Sequence, residues 1–395
     1  MPQIHMQTAN NMSDGVEAAG IEFGATSEAS RIEYDDMRSI CDALATDLKN
    51  AAGKTIAITG AAGFLGFYLS KTIAHWNLHC DNDDRIGLVM IDTFQRGRPQ
   101  WIDALSEEPD IAVFTGNVVE QLDSMLADAD FIIHAASIAS PIFYREHPIE
   151  TMDANVQGLR NILDFAMIRS KRGRPLDGIL YFSTSEIYGD PSENDIPTPE
   201  TYRGNVSCTG PRACYDESKR YGETLCVNFA HQHQIPVTVA RPFNNYGPGL
   251  KISDKRAPPD FANDVLNGRD IVLLSDGKPT RTFCYVSDAI TGYYKVLFNG
   301  VPGESYNIGN DSPEVAVLDF AKMNVDIARE LFDYSGEVKF AKSKDADYLT
   351  DNPNRRCPDI NKARTELGFS PQVSLEEGVR RSLIWYSENQ HGDDC

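Results

Sequence analysis

The segment Thr55-Ile-Ala-Ile-Thr-Gly60-Ala-Ala-Gly63-Phe64-Leu65-Gly66 decides the fold of this 395-residue chain. Its apolar and β-branched start predicts a buried strand, and the residues beyond Gly66 have the pattern of a helix running to about His75. Glycines at the turn between them permit tight bending and a close approach of the backbone to a pyrophosphate at the helix N-terminus. The segment therefore predicts a dinucleotide site.

An acidic residue follows the next predicted strand, Gly87–Ile91. A carboxylate at Asp92 would accept hydrogen bonds from the ribose hydroxyls of the nucleotide and would repel a 2′-phosphate. NAD is therefore expected rather than NADP, although Arg96 and Arg98 close by leave NADP open.

Short apolar runs alternate with longer helical stretches along the first half of the chain. This alternation predicts an α/β fold of the Rossmann type, a doubly wound parallel sheet with helices on both faces, over residues 51–247. The other strand candidates are Ala112–Thr115, Phe131–Ala135, Gly178–Ser183 and Val237–Arg241.

The rhythm changes after residue 247, where proline and glycine become frequent and the apolar runs are short. Residues 248–395 are therefore predicted to form a smaller, mixed α/β substrate domain, and a contribution from parts of 190–210 is open. Its strand candidates are Ile271–Leu274, Ser305–Ile308 and Glu337–Phe340.

The first 50 residues are predicted to be an extension of the nucleotide-binding domain. Residues 1 to about 30 are polar and aperiodic and indicate a flexible tail. Apolar residues at helical spacing over Ile32–Leu48 predict a helix, which we expect to pack on the outside of the domain.

Composition narrows the partners and the compartment. A formal net charge of −21 argues against nucleic acid, although a few local arginines suffice for an anionic small ligand. The eight cysteines form no CxxC pair and have no metal-ligand spacing, so we expect free thiols in the cytoplasm and no metal site. No apolar run reaches the length of a membrane helix, so no membrane partner is expected.

Tyr215 and Lys219 lie four residues apart in a segment predicted to be helical to about Ala230, so their side chains project from one face. An adjacent ammonium is expected to lower the pKa of the phenol toward the working range. Such a tyrosine, placed beside a nicotinamide, could take the proton of a sugar hydroxyl.

These motifs together resemble the extended short-chain dehydrogenase/reductase family over roughly residues 54–388. The resemblance rests on the glycine turn, Asp92, His134-Ala-Ala-Ser137, Ser183-Thr-Ser-Glu-Ile-Tyr-Gly189 and Tyr215 to Lys219. It implies that Tyr215 is the base, that Thr184 bonds the reacting hydroxyl, and that Lys219 holds the nicotinamide ribose. It also implies NAD contacts at Asn117, Val118, Ala135 and Ser183, and a homodimer.

Within that family the chain resembles the branch that decarboxylates UDP-glucuronate to UDP-xylose. The segments that carry this likeness are Ala139–Tyr144, Gly204–Arg212, Phe243–Pro248, Asp276–Arg281, Asn352-Pro353 and Arg356–Ile360. The likeness implies catalytic roles for Glu186 and Arg281 beside the sugar carboxylate and C5. It implies substrate contacts at Pro141, Tyr144, Ser185, Arg212, Asn244, Arg256, Arg281 and Arg356.

Other reactions with the same tyrosine and lysine stay open. Dehydratases of the dTDP-glucose type carry an aspartate at the position of Ser185. Those of the GDP-mannose type resemble this chain in the triplet Thr184-Ser185-Glu186. A nucleotide-sugar 4-epimerase and a non-catalytic NAD-binding scaffold are the further alternatives. The family usually has an aspartate that contacts the adenine amine at the position of Asn117, and an amide can still accept that bond. The segment Leu250–Pro259 departs from the usual sequence beside the nucleotide and leaves the base and the exact sugar open.

Overall fold

A computed structural model gives the structure of residues 27–342, 350 and 353–389. The strands in this part of the chain are β1 (Thr55–Thr59), β2 (Gly87–Asp92), β3 (Ile111–Thr115), β4 (Phe131–His134), β5 (Gly178–Phe182), β6 (Val237–Pro242), β7 (Asn245–Tyr246), β8 (Ile271–Leu273), β9 (Thr280–Arg281), β10 (Cys284–Tyr285), β11 (Ser305–Ile308), β12 (Val315–Ala316), β13 (Val338–Phe340) and β14 (Arg355–Arg356).

The helices alternate with these strands over most of the chain. They are α1 (Glu28–Ala43), α2 (Ala45–Asn50), α3 (Phe64–His79), α4 (Gln100–Leu105), α5 (Pro141–Glu146), α6 (Pro148–Asp153), α7 (Leu159–Lys171), α8 (Ala213–His233), α9 (Ala257–Leu266), α10 (Val286–Asn299), α11 (Val317–Leu331), α12 (Asn361–Leu367) and α13 (Leu375–Asn389). A π-helical turn, Ala154–Gly158, leads into α7, and 3-10 turns cover Asn82–Asp84, Ser185–Tyr188 and Glu193–Asp195.

The central sheet is parallel throughout and has the strand order β11-β6-β5-β4-β1-β2-β3. Without β11, this is the doubly wound order of a Rossmann fold, in which ligands bind outside the carboxyl ends of the strands. The predicted fold class is confirmed, and the six strands predicted for this sheet begin and end within one residue of the predicted bounds.

Alternate residues of each central strand enter two separate cores. Ile56 and Ile58 of β1 pack with α1, α3, α10 and α13, whereas Ala57 between them faces the core that α7 and α8 cover. The strands are apolar at nearly every position because both faces of the sheet are covered. The sheet is thus a rigid layer whose carboxyl edge presents the loops.

The strand Ser305–Ile308 corrects one expectation. Its bounds are as predicted, but it pairs in parallel with β6 and extends the central sheet. The helix α10 lies on one sheet face and supplies the crossover that a parallel pair requires. A short apolar run alone does not reveal which sheet it joins.

The leading helix is a second correction. The structure has α1 and α2 in place of one helix over Ile32–Leu48, and α1 begins inside the stretch predicted as tail. Met37, Ile40, Leu44 and Leu48 are fully buried against α3, α10 and α13, and the opposite face of α1 is exposed, so α1 forms an outer layer on these helices. Residues 1–26 lie outside the described residues.

The remaining strands form small sheets in the C-terminal part. They pair as β10-β7, β12-β9-β14 and β13-β8, with α9, α11 and α13 packed around them. Thr198 bridges to Pro358, so the segment before α8 meets this part over the carboxyl edge of the central sheet. The strand β13 begins one residue later than predicted and β8 ends one residue earlier. None of the helices in the described ranges has the length and apolar character that a membrane crossing demands.

Candidate active site

The glycine turn after β1 is in direct contact with the end of β4. Gly60 has φ of +73°, and a Cβ there would lie 2.7 Å from the Ala136 Cα. A Cβ on Gly66 would lie 2.3 Å from the Ala61 carbonyl oxygen. Glycine is therefore required at position 60 of the turn and at position 66 in the first turn of α3. This helix begins at Phe64, and its N-cap, Gly63, provides no side-chain cap.

Asp92, at the end of β2, fixes this turn. Its Oδ2 accepts the Ala62 amide at 3.0 Å and its Oδ1 accepts the Phe94 amide at 2.9 Å. Arg96 lies over the Phe143 ring and Arg98 donates to Asp103 at 2.6 Å, so both arginines have partners other than a 2′-phosphate. A bent glycine turn, an uncapped sixteen-residue helix and a nearby carboxylate fit NAD.

The other predicted NAD contacts line the same edge of the sheet. Asn117 follows β3 and its Oδ1 accepts the Val119 amide at 3.1 Å, while Val118 is buried against Gly158 of the π-helical turn. Ala135 follows β4 beside Gly60. Ser183 follows β5, and its Oγ is buried without a hydrogen-bond partner among the described residues, as an atom awaiting a ligand would be.

Tyr215, Lys219 and Thr184 come together at the start of α8. The Tyr215 hydroxyl is hydrogen-bonded to Thr184, and the Lys219 Nζ lies 5.8 Å from the centre of the Tyr215 ring. Lys219 donates to the Phe182 carbonyl at 2.7 Å, which places its ammonium under the end of β5. All three side chains are buried.

The ionisation of this pair differs from the expectation. Burial raises the pKa of Tyr215 above its usual value, although Thr184 and Arg256 act in the opposite direction. Burial also lowers the pKa of Lys219 to about 7. In the ligand-free chain, desolvation of the phenol therefore outweighs the effects of Thr184 and Arg256 on its pKa, which is opposite to the expected lowering.

Three arginines converge on Glu186, which the structure places in the 3-10 turn after β5. Arg356, on β14, forms a bidentate ion pair with it, one N–O distance being 2.6 Å, and Arg212 bonds it from the start of α8. Arg281, on β9, donates to the carbonyls of Thr280 and Pro353 at 2.7 Å each. Segments distant in the chain thus form one charged cluster.

Charge balance decides the protonation of this cluster. Burial raises the pKa of Glu186, but Arg212, Arg356 and Arg281 outweigh it and lower it to about 2. Burial, followed by Arg356, lowers the pKa of Arg281 to about 9, so its guanidinium remains charged at neutral pH. Three guanidinium groups face the carboxylates of Glu186 and Asp216, which leaves one excess positive charge in this buried cluster.

The other predicted substrate residues have varied surroundings. Tyr144 is buried with its ring parallel to that of Tyr215, the centroids 5.0 Å apart, and Pro141 begins the same helix, α5. Ser185 is buried beside Glu186. Asn244 donates to the carbonyl of Thr282, between β9 and β10, at 2.8 Å, and Arg256 pairs with Asp254 of its own loop.

Two residues of this region lie outside the sequence predictions. Asp216, one position after Tyr215, has its carboxylate 3.8 Å from Arg212, and Asp254 pairs with Arg256. Acidic residues next to arginines in the chain are too common to single these out. Asn352, quoted above in a motif, lies outside the described residues.

Curated relatives are similar to this chain over most of its length. UDP-glucuronic acid decarboxylase 3 of Arabidopsis thaliana is 36% identical over 324 residues, which are 82% of this chain and 86% of that protein. UDP-glucuronic acid decarboxylase 1 of Xenopus tropicalis is 35% identical over 333 residues, 84% of this chain and 72% of that protein.

Solved structures share the fold. UDP-glucose 4-epimerase of Thermotoga maritima with UDP-glucose has a TM-score of 0.71 at 21% identity, covering 85% of this chain and 100% of that one. UDP-glucuronic acid 4-epimerase of Bacillus cereus, in complex with UDP-glucuronic acid and NAD, has a TM-score of 0.68 at 24% identity, covering 85% and 99%.

A family model matches residues 56–309, which include the glycine turn, Asp92, the Thr184 turn, Tyr215 and Lys219. This match spans more than half of the chain and contains all the residues predicted to contact NAD, which together form the predicted NAD cradle. The chain therefore belongs to the NAD dependent epimerase/dehydratase family.

Proposed function

We propose that this protein is an NAD-dependent decarboxylase that converts UDP-glucuronate to UDP-xylose. The observation that carries the proposal is the cluster of Arg212, Arg281 and Arg356 around Glu186, next to the Thr184–Tyr215 pair. The relatives named UDP-glucuronic acid decarboxylase, at 33–36% identity, support the same reaction.

The positive charge of the arginine cluster around Glu186 suits this anionic substrate. Guanidinium groups bind carboxylate and phosphate oxygens through paired hydrogen bonds, and UDP-glucuronate carries both kinds of group. The carbonyls of Thr280 and Pro353 orient the Arg281 guanidinium, so its position is set before the substrate binds. We assign it to the sugar carboxylate and C5, and Arg212 and Arg356 to the anionic remainder.

The residues divide the reaction between them. Tyr215 accepts the proton of the C4 hydroxyl while Thr184 holds that hydroxyl in place. NAD bound in the cradle supplies a reversible two-electron acceptor. A ketone at C4 is β to the C6 carboxylate. The C5–C6 bond can therefore break to release carbon dioxide, and its electrons remain on the sugar as a C4 enolate. C5 then gains a proton beside Glu186 and Arg281. The hydride removed from C4 returns to C4, and Tyr215 gives its proton back to the C4 oxygen, so no external oxidant is needed.

Ser185 bears on the competing dehydration. Expulsion of a hydroxyl from C6 needs a nearby acid, and Ser185 is a buried hydroxyl that cannot supply one at neutral pH. Glu186 is ionised between two arginines and is a poor acid for the same task. These features favour a leaving group, such as carbon dioxide, that requires no protonation.

The mass of the product tests the proposal. Purified protein is incubated with UDP-glucuronate and NAD, and the nucleotide sugar is weighed by mass spectrometry. Loss of carbon dioxide supports decarboxylation. Unchanged mass with altered stereochemistry would assign a 4-epimerase, and loss of water a dehydratase. Binding of NAD without any turnover would assign a scaffold.

The dimer and the compartment are parts of the same proposal. Ile149, Met152, Ile168 and Tyr221 are exposed on the neighbouring helices α6, α7 and α8, an apolar surface that suits pairing with a second copy. All seven cysteines of the described ranges are free thiols, which suits the cytoplasm. Analytical ultracentrifugation that finds a monomer would contradict the dimer, and fluorescence microscopy of a tagged chain tests the compartment.

A further inference from the structure

A second buried polar network lies next to the Glu186 cluster, and its hydrogen bonds involve none of the residues assigned to the substrate. Arg241, near the end of β6, donates to both carboxylate oxygens of Glu223 at 2.8 and 2.6 Å. A third donor of Arg241 bonds the Tyr188 hydroxyl at 2.7 Å, and this hydroxyl donates to Asn307 at 2.8 Å. The network thus joins α8, β6, the 3-10 turn and β11.

Every polar side-chain atom of the network has at least one hydrogen-bond partner. Asn307 donates its side-chain amide to the carbonyls of Thr198 and Asp359 at 3.0 Å each. Tyr188, Arg241 and Asn307 are 2%, 7% and 0% exposed. Removing one partner from such a network leaves a buried polar group unpaired, so the arrangement has one favoured geometry.

The network is connected to the reacting residues by short stretches of backbone. Tyr188 ends the 3-10 turn that contains Glu186, and Thr184 caps the same turn by accepting the Glu186 amide at 3.2 Å. Glu223 lies one helical turn beyond Lys219 on α8. Arg241 therefore fixes the distance between the turn and the helix that carries Tyr215.

We propose that Arg241, held by Glu223 and Tyr188, is a positioning residue that sets Thr184 and Glu186 against Tyr215. The inference rests on the proposed function for its kinetic readout. A displacement of about 1 Å in such a constellation costs up to about 100-fold in rate, so the loss of one hydroxyl far from the substrate has a measurable effect.

The test compares Tyr188→Phe and Arg241→Lys with Tyr306→Phe in the full chain. Tyr306 is a matched control. It is a buried tyrosine that precedes Asn307 in the chain, but its hydroxyl donates to Glu366 at 3.0 Å and not to the 3-10 turn. We expect Tyr188→Phe and Arg241→Lys to lower kcat by about 10- to 100-fold, with the KM for UDP-glucuronate and the affinity for NAD unchanged. Tyr306→Phe should leave kcat unchanged.

Hydrogen–deuterium exchange in the ligand-free chain is the second readout. The amides of residues 185–189 should exchange faster in Tyr188→Phe and Arg241→Lys, and those of residues 60–66 should not. Unchanged exchange at 185–189, or a kcat of Tyr188→Phe equal to that of the wild type, would overturn the inference. If the wild-type chain does not decarboxylate UDP-glucuronate, the proposed function fails, and the exchange readout alone decides whether Arg241 positions the turn.

Discussion

Tyr215 lies in surroundings that oppose the ionisation its proposed role requires. Burial raises its pKa, and burial lowers the pKa of Lys219 to about 7, so the ammonium is itself weakened in the ligand-free chain. The hydrogen bond between Thr184 and Tyr215 aligns the phenol but does not supply charge. The role proposed for Tyr215 therefore depends on its phenol oxygen, to which the proton of the substrate hydroxyl is transferred.

Tyr215→Phe removes that oxygen and little else. We expect a loss of turnover of about 1,000-fold, since a positioned acid–base group contributes about 100- to 10,000-fold. NAD affinity should persist, because the glycine turn and Asp92 are untouched. Product formation and NAD titration measure the two effects. Retention of wild-type turnover would remove Tyr215 from its assigned role.

Tyr144 contributes its ring more than its hydroxyl. The ring lies parallel to that of Tyr215, at an angle of 7°, and the hydroxyl is buried without a partner among the described residues. Tyr144→Phe should keep the stacking and not lower the free energy of unfolding, since an unpaired buried hydroxyl costs about 1 to 3 kcal/mol.

Tyr144→Leu should lose the aromatic contact, which contributes about 0.5 to 1.5 kcal/mol beyond its buried area. We expect a lower kcat for Tyr144→Leu than for Tyr144→Phe, because the ring of Tyr215 is then less well held. Urea unfolding and steady-state kinetics of both variants compare the two. An equal kcat would show that the stacked ring does not position Tyr215.

At the scale of elements, the turn between β1 and α3 depends on Gly60. Gly53 is a matched control, since its φ of +71° is nearly that of Gly60, but nothing lies within 4 Å of a Cβ built on it. Gly53→Ala should cost only the left-handed backbone conformation, about 1 to 2 kcal/mol.

Gly60→Ala adds a clash with the backbone of Ala136 to that cost, so the turn must shift. We expect a larger loss of unfolding free energy than in Gly53→Ala, together with loss of NAD binding. Urea unfolding and NAD titration of both variants test this. If Gly60→Ala binds NAD as tightly as Gly53→Ala, the contact with β4 is not what shapes the cradle.

Elements with local signals could be predicted, and those that depend on distant partners could not. The strands β1 and β5 are apolar runs buried on both faces, so their bounds follow from composition. The place of β11 depends on the crossover through α10, which no pattern within its four residues encodes. The pairing of Glu186 with Arg356 likewise joins side chains 170 positions apart.

At the scale of the whole molecule, α1 connects the N-terminal segment to three distant elements. Asp36 is fully buried, and its carboxylate accepts hydrogen bonds from Tyr68 of α3, Tyr285 of β10 and Arg381 of α13, at 2.8, 2.8 and 2.9 Å. An acidic residue in an amphipathic helix normally indicates a solvated face. The burial of Asp36 could not be predicted, because these partners are invisible in the local pattern.

This contact makes stability depend on pH. Burial raises the pKa of Asp36 from 3.8 to about 6, although Tyr285, Tyr68 and Arg381 act in the opposite direction. A carboxyl with a higher pKa when folded binds its proton more tightly in the folded state. Its contribution to stability is complete below the unfolded pKa and is lost as the pH rises through the folded pKa. The affected window therefore runs from about pH 4 to pH 7.

Asp36→Asn removes the titration and keeps an oxygen acceptor for the tyrosines. Between pH 4 and pH 7 the free energy of unfolding of this variant should rise relative to the wild type by about 3 kcal/mol, the equivalent of about two pKa units. Urea unfolding at several pH values gives the difference. A flat difference for Asp36→Asn, or one that falls with pH, would mean that Asp36 is ionised at least as readily in the folded chain as in the unfolded chain.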